Sequence, residues 1–474
     1  MTVKVIILFS YLIGLIALSV LARRKIPQTP EGYFLANRSL GLVVLFFSLV
    51  ATNFSAFFFL GFAGAAWKTG FGQYGIMGVG TALVPLAFFV IGWPVWKLGR
   101  QKGYLTAPEL IGGEFKSRFL RGLVMIVMVV FTLPYLLTQA VGAGILLSSL
   151  FNMDLLRIGG AVTIMAVGIT VVFGGMKASA WTDVLQGFLM ILAMVLAVIF
   201  VSMGLGGWQS AGEAAFRASP EHFSRPGPDN FFQVTTWFSY LLLWTFVNPL
   251  FPQVFSRFYT AKTPDSLKKV TWLYPLLVSF LFLAPVTIGV WARGTSLTIS
   301  NPDMVLPAMV LNYAPDWVYV FVMVGAMAAL MSTADSQLLA LATMFSHDLG
   351  IARNSIRAGR WLALGLCVMI SLFLLSGLNP QIPIFTLLTQ TTFAGLIALT
   401  PATLAALYFP QIHKIAPILS ILAGEVVVIL LRTKAIPTYG FVDGIIVLGT
   451  ASLTLLSVHL IERSFRKTDL LRAC

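Results

Sequence analysis

The stretch Gly325-Ala326-Met327-Ala328-Ala329-Leu330-Met331-Ser332-Thr333-Ala334-Asp335-Ser336-Gln337 lies inside an apolar run from about Val318 to Phe345. Hydroxyls and a carboxylate stand where lipid is the default neighbour, and an ionisable group at that depth marks a functional site. At helical spacing Ser332, Asp335 and Ser336 share a face, with Ala329 one turn before Ser332 and Thr333. Oxygens on such a face suit a hard cation such as Na⁺. The small residues Gly325, Ala326, Ala328 and Ala329 let a second backbone approach and add carbonyl oxygens. Hydroxyls alone would serve a plain helix contact equally well; Asp335 tips the reading toward function.

Composition makes the rest of the chain membrane-embedded. Of 474 residues, 58% are hydrophobic and 10% charged, with a mean hydropathy of +0.90. A water-facing surface needs roughly 25% charged residues. The net charge of +14 does not form a nucleic-acid-binding patch, because the basic residues fall in short loops between apolar runs. Cys367 and Cys474 lie too far apart in depth to pair, and no Cys/His cluster has metal-ligand spacing. The first apolar run, Val3 to Leu21, is followed by Arg23-Arg24-Lys25 without a small-residue cleavage site, which predicts a retained helix.

Taking about 20 apolar residues per crossing, the sequence predicts an all-α membrane protein of thirteen spans. They lie near 3–22, 40–66, 74–97, 119–150, 156–173, 180–204, 232–258, 270–292, 317–346, 359–377, 383–408, 414–432 and 440–461. An odd number puts the termini on opposite sides. With the N-terminus outside, only Lys4, Lys68, Arg157, Arg217, Arg225, Arg293, Arg432 and Lys434 of the 31 basic residues are external. The positive-inside rule therefore puts the C-terminus in the cytoplasm. A multi-pass protein of the plasma (inner) membrane is expected, with the lipid bilayer as its surroundings and no nucleic-acid or obligate protein partner implied.

Two spans are badly formed as helices, and they are five apart. The second carries Ala51-Thr52-Asn53-Phe54-Ser55, and the seventh carries Asn248-Pro249 and then Pro252, which removes backbone donors mid-helix. Interrupted helices in register within two inverted halves point to a transporter's midplane site, where freed backbone groups line a cavity. The resulting division is an extra N-terminal helix and loop (1–38), a first five-helix repeat (39–205), an external loop (206–230), a second repeat (231–410), and two C-terminal helices with a tail (411–474). No Walker loop, dinucleotide fingerprint or appended soluble domain is present.

Several segments together resemble the sodium:solute symporter family of sugar, proline, sialic acid and monocarboxylate carriers. They are Gly32 to Arg38, Ala51 to Ser55, Gly174-Gly175-Met176-Lys177, Trp181-Thr182-Asp183-Val184-Leu185-Gln186, Arg257-Phe258-Tyr259, Ser332 to Gln337, and Pro401 with Tyr408. The resemblance implies a LeuT-type 5+5 inverted repeat, with one extra helix before it and two after, alternating access, and Na⁺ as the coupling ion. It places the family's common sodium site on the carbonyls of Ala51, Phe54 and Ala329 and the hydroxyls of Ser332 and Thr333. Asp183, Asp335 and Ser336, with Ser332, become candidates for a second Na⁺ or for a proton; gating or backbone-bonded roles for the two acids are the alternative.

The solute pocket should lie beside the breaks, with Asn53, Ser55, Phe58, Thr138, Gln139, Trp244, Asn248 and Gln390 as candidates. Each polar one could instead be a helix-packing group, and for Thr138 and Gln390 packing is the stronger reading. Where the family's sugar carriers place a glutamine, this chain has Phe57-Phe58-Phe59, and Ile76-Met77-Gly78 carries no acid. An unmatched buried hydroxyl costs about 1 to 3 kcal/mol, so a polyol is disfavoured. The proline carriers have an aspartate at the position of Asn53, which removes the partner an ammonium would use. A small monocarboxylate or related organic acid with an apolar body fits an aromatic pocket with a few neutral donors. Arg257, at the cytoplasmic end of the seventh span, where an arginine belongs by snorkelling alone, is expected to form an inner-gate salt bridge.

The expectation is a secondary active transporter, importing a small organic solute with Na⁺, and not an enzyme. Its rivals are an H⁺-coupled or amino-acid symporter of the same fold, and a transporter-like sensor that binds solute without moving it. An intramembrane enzyme would need a nucleophile with a base or a metal set, and no histidine accompanies Asp183 and Asp335.

Overall fold

The computed structural model describes residues 2–23, 29–349, 355–377 and 382–473. Arg24, Lys25 and Arg353, three of the basic residues that argue for sidedness, lie outside the described residues, as does Cys474. The described residues form helices and no strand; a single isolated bridge joins Leu40 to Ala261.

In chain order the long elements begin with α1 (Thr2–Arg23), α2 (Leu42–Asn53), α3 (Phe57–Thr69), α4 (Leu83–Lys102), α5 (Arg118–Phe151), α6 (Leu156–Gly204) and α7 (Val234–Val247). They continue with α8 (Pro252–Thr260), α9 (Pro264–Trp291), α10 (Asp316–Asp348), α11 (Ile356–Leu375), α12 (Ile384–Tyr408), α13 (Ile415–Arg432) and α14 (Asp443–Phe465). Ten of these are singly long and apolar enough to cross a membrane, and α2 with α3, bent by 56°, makes an eleventh if the pair is one span. The difference from the thirteen expected spans lies at the interruptions. The 49 residues of α6 contain a kink at Gly175 (φ 55°, ψ −162°). A side chain there would be strained, and its Cβ would sit 2.6 Å from the Tyr33 carbonyl oxygen. The α7–α8 pair is parted by Asn248–Leu250.

The helix carrying the polar stretch lies at the centre. Of the most apolar window in α10, 89% is buried, against 17% in α1 and 22% in α14, which lie at the rim. Close packing is what its small residues permit: a Cβ on Gly325 would stand 2.3 Å from the Ala193 Cβ on α6. Lys4 donates to the Leu150 carbonyl at 3.0 Å, so α1 starts at the end of the bundle where α5 finishes. At the opposite end Arg121 pairs with Asp348 at 2.7 Å, and Glu109 lies 2.9 Å from His347.

Candidate ion and solute site

A helix leaves its last carbonyls without N–H partners, and α2 does so inside the protein. The backbone turns extended at Phe54 (φ −84°, ψ 111°). Phe54 N–H still donates to Val50 at 3.0 Å, which orphans the carbonyls that follow. The chain restarts through Ser55, whose hydroxyl accepts from Phe57 N–H at 3.2 Å, while Gln139 Oε1 accepts from Ala56 N–H at 3.1 Å. Helix α3 opens with a π-type turn over Phe57–Gly61, a geometry common at functional sites.

The freed carbonyls meet the hydroxyls of α10. Ser332 Oγ lies 2.9 Å from Ala51 O and 3.0 Å from Ala329 O. Thr333 Oγ1 lies 3.4 Å from Ala51 O, 3.3 Å from Thr52 O and 3.1 Å from Phe54 O. Ala51, Phe54, Ala329, Ser332 and Thr333 are thus gathered in one place, every one at most 1% exposed. A hydroxyl has one proton, so it can satisfy only one of these carbonyls at a time. The cluster is richer in acceptors than in donors, which is the donor set a hard cation needs.

Beside it sits a fully buried ion pair. Arg257 Nη2 lies 3.1 Å from Asp183 Oδ2, with both side chains 0% exposed. Ser48 also donates to Asp183 Oδ2, at 2.7 Å. Arg257 further donates to Ser48 Oγ at 2.6 Å, Ser179 Oγ at 3.0 Å and Ser336 Oγ at 2.6 Å. Ser336 Oγ lies 3.0 Å from Thr52 Oγ1. Asp335 is in electrostatic reach of Asp183 and Arg257, and its Oδ1 has no hydrogen-bond partner among the described residues. The guanidinium does not snorkel to water. It forms a salt bridge, as expected, but one sealed in the core among the second-ion candidates.

Asn53 and Asn248, each at its own helix break, bond each other reciprocally at 3.3 and 3.1 Å, and Asn53 donates to Tyr274 Oη at 2.8 Å. They line a cavity of about 30 Å³ together with Phe54, Phe57, Phe58, Tyr135, Trp244, Phe251 and Phe393. Ser55 Oγ lies 3.2 Å from Tyr135 Oη at the same place. The Trp244 indole N–H has no partner among the described residues. Thr138 and Gln139 are spent on the Tyr135 carbonyl, at 2.7 and 3.0 Å. Gln390 does not join the group: it is exposed and held by Arg432 in a vestibule of about 550 Å³ with Lys68, Tyr240, Asp303, Phe385 and Asp443. An aromatic plug separates vestibule from cavity. Phe57 stacks on Phe385 at 5.4 Å and meets Trp244 at 5.6 Å, and Trp244 meets Phe393 at 5.1 Å.

Four participants escape the sequence reading: Ser48, Ser179, Tyr135 and Tyr274. The two tyrosines did carry a signal, since each adjoins a proline inside an apolar run, Pro134 and Pro275.

The sodium:solute symporter family model matches residues 33–424. The sodium/pantothenate symporter of Haemophilus influenzae is 25% identical, over 92% of both chains. That of Escherichia coli is 26% identical over 92% of this chain and 91% of its own. The sodium/proline symporter of Salmonella typhimurium is 24% identical over 91% and 87%. Among solved structures, a substrate-bound, outward-open Na⁺-coupled sialic acid symporter superposes with a TM-score of 0.75 at 16% identity, covering 95% of this chain and 97% of that one. A nucleobase-cation-symport-1 family transporter in a closed conformation gives 0.63 at 14% identity, covering 93% and 95%.

Proposed function

From the premise that the chain belongs to the sodium:solute symporter family, and is therefore a Na⁺-coupled solute symporter and not an enzyme, we propose that it imports a small monocarboxylate. The observation that carries the ion half of the reading is the convergence of the Ala51, Phe54 and Ala329 carbonyls on Ser332 and Thr333. Sodium held there ties the α2–α3 break to α10 and favours one conformation over the other. Coupling is the difference in ion affinity between the two.

The solute half rests on the Asn53 cavity. Its polar groups are neutral: two amides, the Tyr135 and Tyr274 hydroxyls, and the free Trp244 N–H. Neutral donors and an aromatic wall suit a carboxylate with an apolar body. Two of the relatives are sodium/pantothenate symporters, and pantothenate is a monocarboxylate, one whose two hydroxyls and amide would need polar partners as well. At about 30 Å³ the cavity has room for one water, whereas a small-molecule site needs about 300 Å³ or more. Opening therefore requires Phe57, Trp244 and Phe393 to part.

The proposed architecture counts α6 as two crossings hinged at Gly175, α2–α3 as one and α7–α8 as one, making thirteen. The N-terminus is outside, and two inverted five-helix repeats cover 39–205 and 231–410, in the plasma membrane. The test is uptake of labelled pantothenate, proline and a neutral sugar into proteoliposomes, with Na⁺ and H⁺ gradients imposed separately. Accumulation of the acid driven by Na⁺ alone is expected; accumulation driven only by H⁺, or of the sugar alone, would refute the reading.

A further inference from the structure

We infer that Arg432 latches the aromatic plug: by gripping Gln390 it holds α12 where Phe385 and Phe393 close the cavity beside Asn53, which makes it a positioning residue for solute entry. The inference rests on the reading of that cavity as the solute site and goes beyond it, since it gives the C-terminal helix pair α13–α14 a part in gating.

The grip falls where α12 is least regular. Leu388–Thr392 form a π-type turn, followed by an α-helical turn over Phe393–Leu396 and a 3₁₀ turn over Ile397–Leu399. Such changes of winding interrupt the i→i−4 ladder and leave carbonyls open to a donor from outside the helix. Arg432, in the last turn of α13, is that donor. Its Nη2 donates to the Gln390 carbonyl oxygen and its Nη1 to Gln390 Oε1 at 3.2 Å. Asp443, the first residue of α14, accepts from Nη2 at 3.0 Å and orients the planar fork.

Both plug rings of α12 are rooted beside this point. Phe385, before Gln390, stacks on Phe57; Phe393, one turn after it, meets Trp244 at 5.1 Å, Phe251 at 5.3 Å and Tyr135 at 6.0 Å. The support behind the grip is close-packed. A Cβ on Gly444 of α14 would stand 2.6 Å from Leu243 Cδ1 on α7, and one on Gly424 of α13 2.8 Å from the Ala398 Cβ on α12. Thr236 Oγ1 donates to Gly440 O at 3.4 Å, joining the start of α7 to the same loop. The C-terminal pair thus braces both α7, which carries Trp244, and α12. Apolar packing has no preferred direction, whereas the guanidinium fork fixes Gln390 in one geometry. Breaking the fork therefore frees the plug without dissolving the bundle.

The test is alkylation of a cysteine at Val84, which lines the closed cavity, by a water-soluble maleimide in the purified full-length protein carrying Cys367→Ala and Cys474→Ser. Neither Na⁺ nor solute is needed, so the result is separate from that of the uptake assay. Adding Arg432→Gln is expected to speed the reaction of Val84→Cys about 5- to 10-fold by raising the open population. It should leave unchanged the rate at Ser256→Cys, which reports the other end of the bundle. An unchanged rate at Val84→Cys, or equal acceleration at both positions, which is general loosening, would overturn the inference. Should Arg432→Gln not fold, Gln390→Leu keeps the Arg432–Asp443 pair and removes only the side-chain contact. It is expected to speed Val84→Cys about 2- to 3-fold, and no acceleration there would overturn the inference equally.

Discussion

Thr333 Oγ1 stands 3.1 Å from the carbonyl oxygen of Phe54 and 3.4 Å from that of Ala51, so one side chain of α10 spans the whole break between α2 and α3. An ion bound there would draw on the same carbonyl oxygens and on the lone pairs of the neutral hydroxyl, whose proton would turn away from it. Thr333→Ser keeps the oxygen and Thr333→Val removes it at nearly constant volume. The valine variant is expected to raise the Na⁺ concentration for half-maximal uptake by about 5- to 30-fold, the equivalent of 1 to 2 kcal/mol. The serine variant should stay close to wild type, and the Na⁺ dependence of uptake measures both.

The reciprocal amide pair of Asn53 and Asn248 closes the proposed solute cavity with neutral partners. Replacing Asn248 breaks both amide bonds of the pair and leaves Asn53 with Tyr274 alone, so Asn248→Ala should raise the solute KM about tenfold with little change in Na⁺ dependence. Asn53→Asp tests the sign of the solute charge. A carboxylate placed there repels an anionic solute, so acid uptake should fall by about tenfold or more. If Asn53→Asp improved acid uptake, the monocarboxylate reading would be lost.

In the loop between α9 and α10, Asp303 is 4% exposed and accepts from Ile384 N–H at 3.1 Å, tying that loop to the start of α12. Burial pushes its carboxyl up to about 6, opposed by the Ile384 hydrogen bond and by Lys68. A pKa raised in the folded state means that the folded protein holds the proton more tightly. The advantage is full below about pH 4 and is lost as pH rises through 6. Relative to Asp303→Asn, the wild type should therefore lose on the order of 1 to 3 kcal/mol between pH 4 and pH 7. Melting temperatures of the two proteins across that range provide the check.

At the other end, Arg121 joins the short helix Ala107–Glu114 to the end of α10, through Asp348 at 2.7 Å and Glu109 at 3.9 Å. Burial opposes ionisation of Glu109, but hydrogen bonds from His347 and Leu105 N–H and the Arg121 charge hold it below the ordinary carboxylate range. The contact is therefore charged at neutral pH. Breaking one partner of a buried pair exposes the rest, so Arg121→Ala should loosen this end. A cysteine at Ser256, which lines a small cavity there, should then react with a water-soluble thiol reagent several-fold faster than in the parent. An unchanged rate would remove Arg121 from any gating role.

The meeting of Ala51 and Phe54 with Ser332 and Thr333 was legible because its signals are local. A polar face at helical spacing and a polar break in an apolar run are both readable from spacing and composition, and their meeting follows from the repeat. The salt bridge of Arg257 agrees with the sequence reading, but its full burial was not legible, because snorkelling is the local expectation and only tertiary structure brings Asp183, Ser48 and Ser336 around it. Gln390 was misplaced because a glutamine in an apolar span reads the same whether it faces a pocket or the vestibule arginine Arg432. Gln139 turned out to cap the exposed Ala56 N–H, a need that exists only once the break is formed. Helix continuity across Gly175 was equally illegible, since a glycine pair can end a helix or merely kink it.

The most direct measurement of where the ion binds is the Na⁺-dependent shift in melting temperature, in NaCl against choline chloride at equal ionic strength. A ligand at 100 times its Kd stabilises a folded protein by about 2.7 kcal/mol. The wild type should melt higher in sodium, and the Ser332→Ala/Thr333→Val double variant should melt at the same temperature in both salts. A double variant that keeps the full sodium shift would place the ion elsewhere and contradict the account.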